Sequence, residues 1–113
     1  MKQHLYLQIA SKLRTTILRG DYAPEQQIPS IRRLAENEKC NPATVQKAMK
    51  VLEEQNLIIS CGTLGYFVIA SEQEIKKLRY QESNKLVKIL FEKLGELGFS
   101  EDEIVNLFFR KDA

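Results

Sequence analysis

The sequence predicts a mainly α protein with one small β-hairpin, an α+β fold. Apolar residues recur at intervals of three and four over residues 5–54 and again after residue 71, which indicates helices. Between these regions the pattern changes to two short β-prone runs, 57–60 and 66–70, separated by "CGTLG". At 113 residues, the chain is long enough for one modest domain or for a small domain with an appendage.

The first predicted helix extends from about Leu5 to Arg19. Gly20 follows it as a terminator, because glycine enters the left-handed conformation without a steric penalty. The connector that comes next, residues 20–29, is rich in turn-forming residues and contains two prolines. The apolar face of this helix consists of Leu5, Ile9, Leu13 and Ile17, with Tyr6, Ala10 and Leu18 beside them.

Two further helices follow, separated by the brief polar turn "ENEKCNP". Ser30 can cap the second helix, and Asn41 is a good N-cap for the third, with Pro42 at the first helical position. The third helix should end near Gln55, with Asn56 as a left-handed terminator. The predicted inner faces are Ile31, Leu34 and Ala35 in the second helix and Val45, Ala48, Met49 and Leu52 in the third.

The outer face of the third helix carries hydrogen-bonding and cationic side chains and no acid before Glu53. Taken alone, such a face could be ordinary solvated surface or a surface for a negatively charged partner. Residues 1–70 hold nine Lys/Arg against six Asp/Glu, whereas residues 71–113 hold eight against nine. This bias weakly favours a nucleic-acid partner. The outward residues are Thr44, Gln46, Lys47 and Lys50.

Two capping boxes organise the C-terminal part of the chain. Ser71 and Glu74 open a long helix predicted from about Glu72 to Leu94, and the chain turns around residues 95–98. A second box opens a short final helix. That box is formed by Ser100 and Glu103, and the apolar positions of its helix are Ile104, Leu107 and Phe108.

Three helices followed by a hairpin match a winged helix-turn-helix domain, and the turn between the second and third helices is short, as that motif requires. Its third helix would enter a DNA major groove. We therefore predict a winged helix-turn-helix DNA-binding domain over residues 1–70 and a two-helix dimerisation tail over residues 71–113.

The sequence resembles the GntR family of bacterial transcription regulators, and especially its short YtrA-type branch. The matching segments are "LYLQI", "LRGDYAPEQQIPSIRRLA", "NPATVQKA" and "LEEQNLI" followed by "GYFV". The resemblance covers some 65 residues, and "PSIRRLA" with "NPATV" is a specific combination. It implies a homodimeric regulator, expected to be a repressor, that binds a palindromic operator. It also implies that the short tail dimerises instead of carrying a large effector domain.

The resemblance places Arg32 at the family's DNA-contacting arginine and Ser30 at the start of that helix. Thr44 and Gln46 fall at positions of the recognition helix, and Lys47 is adjacent; glutamine can bond adenine and threonine can touch a thymine methyl. Charge alone makes two more residues phosphate candidates. The remaining predicted DNA contacts are Arg33 and Lys50, Asn41 at the helix start, and Gly62 and Thr63 at the wing tip.

Three positions depart from the family pattern. Glu25 replaces the usual glycine after proline, which predicts a different turn conformation there. Asn56 replaces another glycine, a change that a left-handed asparagine tolerates. The wing tip lacks the arginine or lysine that many members insert into the minor groove. Wing contacts should therefore use main-chain amides and the Thr63 hydroxyl.

The apolar stripe of the tail has two interpretations: packing onto its own domain or contact with a second subunit. Two helices cannot bury all of their apolar faces against a small winged domain, so dimerisation is favoured. The predicted interface residues are Leu86, Leu90, Phe91, Phe108 and Phe109.

Other function classes lack the residues they need. Cys40, Cys61 and His4 provide neither a disulfide framework nor a zinc site, and no metal or cofactor is expected. The sequence contains no nucleophile–base pair and no phosphate-binding glycine loop, so we expect no enzyme. Without a membrane span or signal peptide, the expected location is cytoplasmic. The expected partners are operator DNA and a second copy, with room for an unknown small-molecule effector; the alternative is a winged-helix protein–protein assembly module.

Overall fold

A computed structural model describes residues 4–109, and it confirms a mainly helical fold with one small antiparallel hairpin. Three helices come first: α1 (Leu5–Arg19), α2 (Ile31–Glu38) and α3 (Pro42–Glu54). Strands β1 (Ile58–Ser60) and β2 (Tyr66–Val68) follow, joined through a single 3₁₀ turn, Gly62–Leu64. The helices α4 (Glu72–Glu96) and α5 (Glu101–Leu107) complete the described chain.

The predicted helix boundaries depend on local capping groups, and most of these are in place. Gly20 has φ of 92° and ends α1. Ser30 Oγ accepts a hydrogen bond from the Arg33 N–H at 3.1 Å, and Asn41 Oδ1 accepts one from the Ala43 N–H at 2.9 Å. These three observations confirm the predicted caps.

Both capping boxes of the C-terminal part are also present. Ser71 and Glu74 exchange two hydrogen bonds of 3.1 Å, and Ser100 and Glu103 exchange bonds of 3.0 and 3.2 Å. The Ser71 main-chain N–H, and after it the Ser71 hydroxyl, stabilise the ionised carboxylate and lower the pKa of Glu74.

The turn between α2 and α3 is shorter than the sequence predicted. "ENE" is helical, so α2 continues to Glu38 and only residues 39–41 separate the two helices. Lys39 ends α2 in the left-handed conformation, with φ of 53°, and the Cys40 N–H donates to the Ala35 carbonyl at 3.0 Å. A lysine in this role carries no sequence signal comparable to glycine, so the terminator was missed.

The later elements differ from prediction by one or two residues. Helix α4 continues through Gly95 to Glu96, because Gly98, with φ of 96°, is the glycine that takes the left-handed conformation. Helix α5 ends at Leu107, one residue before Phe108. The two strands are three residues each, shorter than the predicted runs.

The core of the winged region lies between α1 and α3, with the hairpin packed beside them. Every predicted inner-face residue of α3 has an exposed fraction of 0%. In α2, Leu34 and Ala35 are buried and Ile31 is half-buried. The largest fully buried side chains of this core are Ile9, Ile17, Ile28, Val45, Met49, Leu52, Leu57, Ile58 and Val68.

The hairpin has a short companion from the connector after α1. Within it, Ile58 pairs with Val68 and Ser60 with Tyr66. On the other side of β2, Gln27 forms an isolated antiparallel bridge with Phe67. Main-chain hydrogen bonds of 2.8–3.0 Å join residues 25–28 to β2 on both sides of that bridge. The connector therefore covers the outer edge of β2.

The described chain separates into two compact units, which divide between Leu78 and Arg79 within α4. In the first unit, Ile75 and Leu78 of α4 pack against the winged core. In the second, Ile104 is buried with an exposed fraction of 2%. The functional division predicted after residue 70 stays a prediction.

Glu25 has φ of 70°, in the left-handed region that glycine adopts freely. Glutamate therefore occupies the conformation that would suit a glycine, which gives no support to the predicted change of turn. We expect Glu25→Gly to raise the free energy of unfolding by about 0.5–1 kcal/mol, because relief of the left-handed conformation outweighs the added entropy of the unfolded chain.

Urea denaturation of the wild-type and variant proteins measures this change. Ala23→Gly is the matched control, since Ala23 is exposed in the same turn but is not among the residues of positive φ. It should lower stability. Equal effects of the two substitutions would show that Glu25 carries no backbone strain.

Candidate nucleic-acid interface

The outer face of α3 is presented to solvent as the sequence predicted. Gln46, Lys47 and Lys50 are exposed, and Thr44 is half-buried. The inner residues of the same helix are completely buried against the core, which fixes the rotation of α3 about its axis. Because the apolar stripe of α3 is buried in the core, the polar face on the opposite side of the helix must face solvent.

Helix α2 contributes exposed cations next to the start of α3. Arg32 and Arg33 are both exposed. An open hollow of about 560 Å³ lies between the end of α2 and the beginning of α3, and it brings Arg32 and Asn41 to the same depression. The other residues that line it are Ala35, Glu36, Lys39, Cys40 and Pro42.

The cations of helices α1, α2 and α3 fall into two groups. On α1, Lys12 forms a salt bridge of 2.7 Å with Glu38, Arg14 Nη1 donates to Gln55 Oε1 at 2.9 Å, and Arg19 pairs with Asp21. The second group consists of the predicted DNA-contacting cations, which form no salt bridge within residues 4–109. This group, Arg32, Arg33, Lys47 and Lys50, is available to an external anion.

The partner of Lys47 inside the protein is aromatic. Its Nζ lies 6.0 Å from the centre of the Tyr6 ring, at the limit of a cation–π contact. The His4 ring stacks on Tyr6 with centroids 6.0 Å apart. Tyr6 thus connects the start of α1 to the outer face of α3. Sequence reasoning missed this contact because the two residues lie 41 positions apart.

Ser30 and Asn41 are occupied as N-caps, which accounts for their side chains without a ligand. Capping the helix is compatible with the predicted contact to DNA. The Asn41 amide group still carries N–H donors that the cap does not use, and the main-chain N–H groups at a helix start attract phosphate. Their contact with DNA stays a prediction.

The wing tip is a 3₁₀ turn with three exposed residues, Gly62, Thr63 and Leu64. None is charged, as the sequence predicted. Leu64 has an exposed fraction of 68%, which sequence reasoning did not single out. At the base of the wing, Tyr66 is half-buried, and burial together with the nearby Glu53 carboxylate raises its pKa.

In the second unit, apolar side chains are exposed to an unusual degree. Nine of the thirteen exposed large hydrophobic residues in the described chain lie here. Among the predicted interface residues, Leu86, Phe108 and Phe109 are 62–75% exposed, Leu90 is 39% exposed and Phe91 is half-buried. The residues that the prediction omitted are Tyr80, Val87, Ile89, Leu97 and Val105.

Other kinds of site find no support in the described residues. No cluster of histidine, cysteine or acidic side chains within residues 4–109 could hold a metal ion. Among the helices of that range, none combines the length and the apolar character needed to cross a membrane.

Residues 5–68 match the family model described as bacterial regulatory proteins of the GntR family. This chain belongs to the GntR family. The resemblance inferred from the sequence motifs is therefore confirmed, and the protein is a DNA-binding transcription regulator, not an enzyme.

Two relatives place this GntR protein near the short branch of the family. The HTH-type transcriptional repressor YtrA of Bacillus subtilis is 34% identical over 64 residues, which are 57% of this chain and 49% of that repressor. The match thus spans about half of YtrA. The transcriptional regulator YhcF of the same organism, itself uncharacterized, is 24% identical over 101 residues, 89% of this chain and 84% of YhcF.

Solved structures extend the comparison to the fold. A GntR family transcriptional regulator from Listeria monocytogenes superposes with a TM-score of 0.87 at 24% identity, over 98% of this chain and 97% of that one. The DNA-binding domain of AraR, solved in complex with operator ORR3, has a TM-score of 0.59 at 28% identity. That match covers 60% of this chain and 82% of the AraR domain.

Proposed function

We propose that this GntR-family protein is a cytoplasmic, homodimeric repressor that binds a palindromic operator. Residues 1–70 form the DNA-binding domain in this proposal, and residues 71–113 form the dimerisation tail. The observation that carries it is the set of four exposed cations on α2 and α3 that have no acidic partner among the described residues. Two of these cations lie on α2 and two on α3, whose outer face also carries hydrogen-bonding groups able to contact base edges.

Helix α3 is the proposed recognition helix, with Gln46 and Thr44 facing bases and Lys47 and Lys50 near phosphates. The AraR complex supports this placement, since a domain of the same fold was solved on an operator. The repressor role is supported by the similarity to YtrA. In a symmetric dimer, two such helices would occupy successive major grooves about 34 Å apart.

Dimerisation through the tail is supported by its exposed apolar side chains. Monomeric proteins rarely leave large contiguous apolar patches in water, because their burial against a partner is favourable. The two-fold symmetry of a homodimer would in turn require an inverted repeat in the DNA. The protein–protein assembly alternative has in its favour the uncharged wing tip with its exposed Leu64, but it leaves the four cations on α2 and α3 without a role.

Selection from a random duplex pool at near-physiological salt, with protein of measured mass, tests the proposal. We expect an enriched inverted repeat with half-sites about one helical turn apart. Placing that repeat between a promoter and a reporter should lower expression when the protein is present. A folded dimer that enriches no sequence, and binds no duplex even at low salt, would favour the assembly module instead.

Gln46→Ala tests the proposed base contact of α3. If Gln46 bonds adenine, its loss should cost about 1–3 kcal/mol per half-site at one base pair and leave non-specific binding nearly unchanged. Affinities for the selected operator and for variants at each position measure this effect. An equal loss on every sequence would place Gln46 on the DNA backbone.

A further inference from the structure

Gln27 is an exposed residue of the connector whose side chain reaches the wing tip. Its Nε2 donates a hydrogen bond of 2.7 Å to the Leu64 carbonyl oxygen, across 37 positions of sequence. Its backbone is held as well, through the bridge to Phe67. The main-chain bond from the Ile28 N–H to the Tyr66 carbonyl, 3.0 Å long, fixes the next residue. Gln27 therefore approaches the tip from an anchored position.

Gly65 has no side chain, and the Gln27 side chain occupies the space that a Cβ atom at residue 65 would need. A Cβ atom at residue 65 would lie 3.0 Å from Gln27 Nε2, tighter than nine in ten real Cβ contacts, so the glutamine amide would have to move. Gly65 also has φ of 101° and ψ of −155°, a conformation open essentially to glycine. The wing therefore returns to β2 through a residue that permits both the sharp turn and the close approach of the glutamine amide.

The main-chain donors of the tip divide into used and unused groups. The N–H groups of Cys61, Leu64 and Gly65 bond carbonyls within the tip, at 2.7–3.2 Å. The N–H groups of Gly62 and Thr63 donate no hydrogen bond within residues 4–109. Because the wing tip carries no cation, Gly62 and Thr63 are the tip residues predicted to contact DNA, and these two N–H groups are theirs.

A contact made by a main-chain N–H requires a more rigid loop than a contact made by a long cationic side chain. An arginine can adjust several torsions to reach a groove, whereas a backbone N–H points wherever the loop directs it, and hydrogen bonds weaken steeply when misaligned. A wing without cations needs a fixed tip. The bond from Gln27 fixes it at Leu64, the residue that follows the two free donors.

We propose that Gln27 is a positioning residue for the wing, holding the Gly62 and Thr63 N–H groups in the orientation that contacts the sugar–phosphate backbone. This inference rests on the proposed function, since it requires operator binding with the wing on the DNA. It assigns a role in DNA affinity to a residue outside the helix-turn-helix and outside the wing itself.

Gln27→Met is the test variant, because methionine has similar length and no N–H donor. We expect roughly a threefold to tenfold weaker operator affinity, the size expected when one net hydrogen bond is lost. In the free protein, amide exchange at Leu64 and Gly65 should accelerate. Gln26→Met is the matched control: it removes a bond of 2.9 Å to the Ala23 N–H in the same connector, away from the wing. It should leave both readouts unchanged.

A double-mutant cycle with Thr63→Glu distinguishes positioning from a general loss of stability. The new carboxylate should weaken binding in the wild-type background through repulsion of phosphate, and it should weaken binding less when Gln27→Met has already displaced the tip. Arg32→Ala should be additive with Gln27→Met.

Unchanged affinity or unchanged amide exchange in Gln27→Met would overturn the inference, as would full additivity with Thr63→Glu. No effect of Thr63→Glu alone would also overturn it, because the wing would then lie away from DNA. Failure of the wild-type protein to select any operator is a separate result, and it would overturn the proposed function first.

Discussion

Arg32→Ala should weaken operator binding at least about 30-fold, while the winged domain keeps its fold. An arginine contact to DNA contributes about 1–3 kcal/mol, and a symmetric dimer would lose two of them. Arg32 is exposed and forms no salt bridge within residues 4–109, so its removal leaves no buried group unpaired. The free energy of unfolding should therefore change by no more than about 0.5 kcal/mol.

The salt dependence of the same variant identifies what Arg32 contacts. A phosphate contact would reduce the slope of log K against log salt by about one for each arginine and weaken all sequences equally. A base contact would leave the slope nearly unchanged and relax specificity at one position of each half-site. Binding titrations at several salt concentrations, on operator and random duplexes, separate these results.

Arg19→Ala is the control for net charge. It removes the same side chain from the same unit, but Arg19 already pairs with Asp21. We expect its effect on affinity to be less than about threefold, since a paired surface cation contributes little to a distant anion. Equal losses from Arg19→Ala and Arg32→Ala would mean that binding responds to overall charge and that α2 holds no specific contact.

Local signals explain why so much of the fold could be predicted. A cap such as Asn41 or Ser30 acts on an N–H two or three residues away, and the apolar stripe of α3 is a property of one helix. The motifs around Arg32 then indicated the family that residues 5–68 match. Terminators outside the glycine and asparagine pattern, such as Lys39, could not be identified this way.

The parts of the site that escaped prediction depend on contacts between distant segments. Gln27 meets Leu64, and Tyr6 meets Lys47, only after α1, α3 and the hairpin have packed. The sequence around Gln27 or Tyr6 contains no pattern that predicts such a contact. The exposure of Leu97, at 74%, is likewise set by tertiary packing and not by helical spacing alone.

Replacement of both Leu86 and Leu90 by lysine should convert a dimer into monomers and lower operator affinity about 100-fold or more. The two residues are one helical turn apart on α4, so they lie on one face, and they are 65% and 39% exposed. Lysine is a good helix former, and exposed substitutions cost little in a monomer. At a subunit interface, the same lysines would remove apolar contact and bring like charges together across the two-fold axis.

The loss of affinity follows from how a dimer binds two half-sites. In the proposed dimer, once one winged domain is bound, the tail would hold the second at a high effective concentration, so both halves would contribute to one binding event. Monomers lose that advantage and should bind single half-sites weakly. Sedimentation measures the mass, and titrations on full and half operators measure the affinity.

The control for the added charge is the pair Gln81→Lys and Asn84→Lys, two exposed polar positions on the same helix. It adds the same two lysines without removing apolar surface, so the dimer and its operator affinity should persist. A Leu86 and Leu90 double variant that keeps both its mass and its affinity would show that this face of α4 is not the interface. A variant that becomes monomeric but still binds the full operator like the wild type would show that operator binding does not depend on dimerisation. Each half-site would then be bound independently by one winged domain.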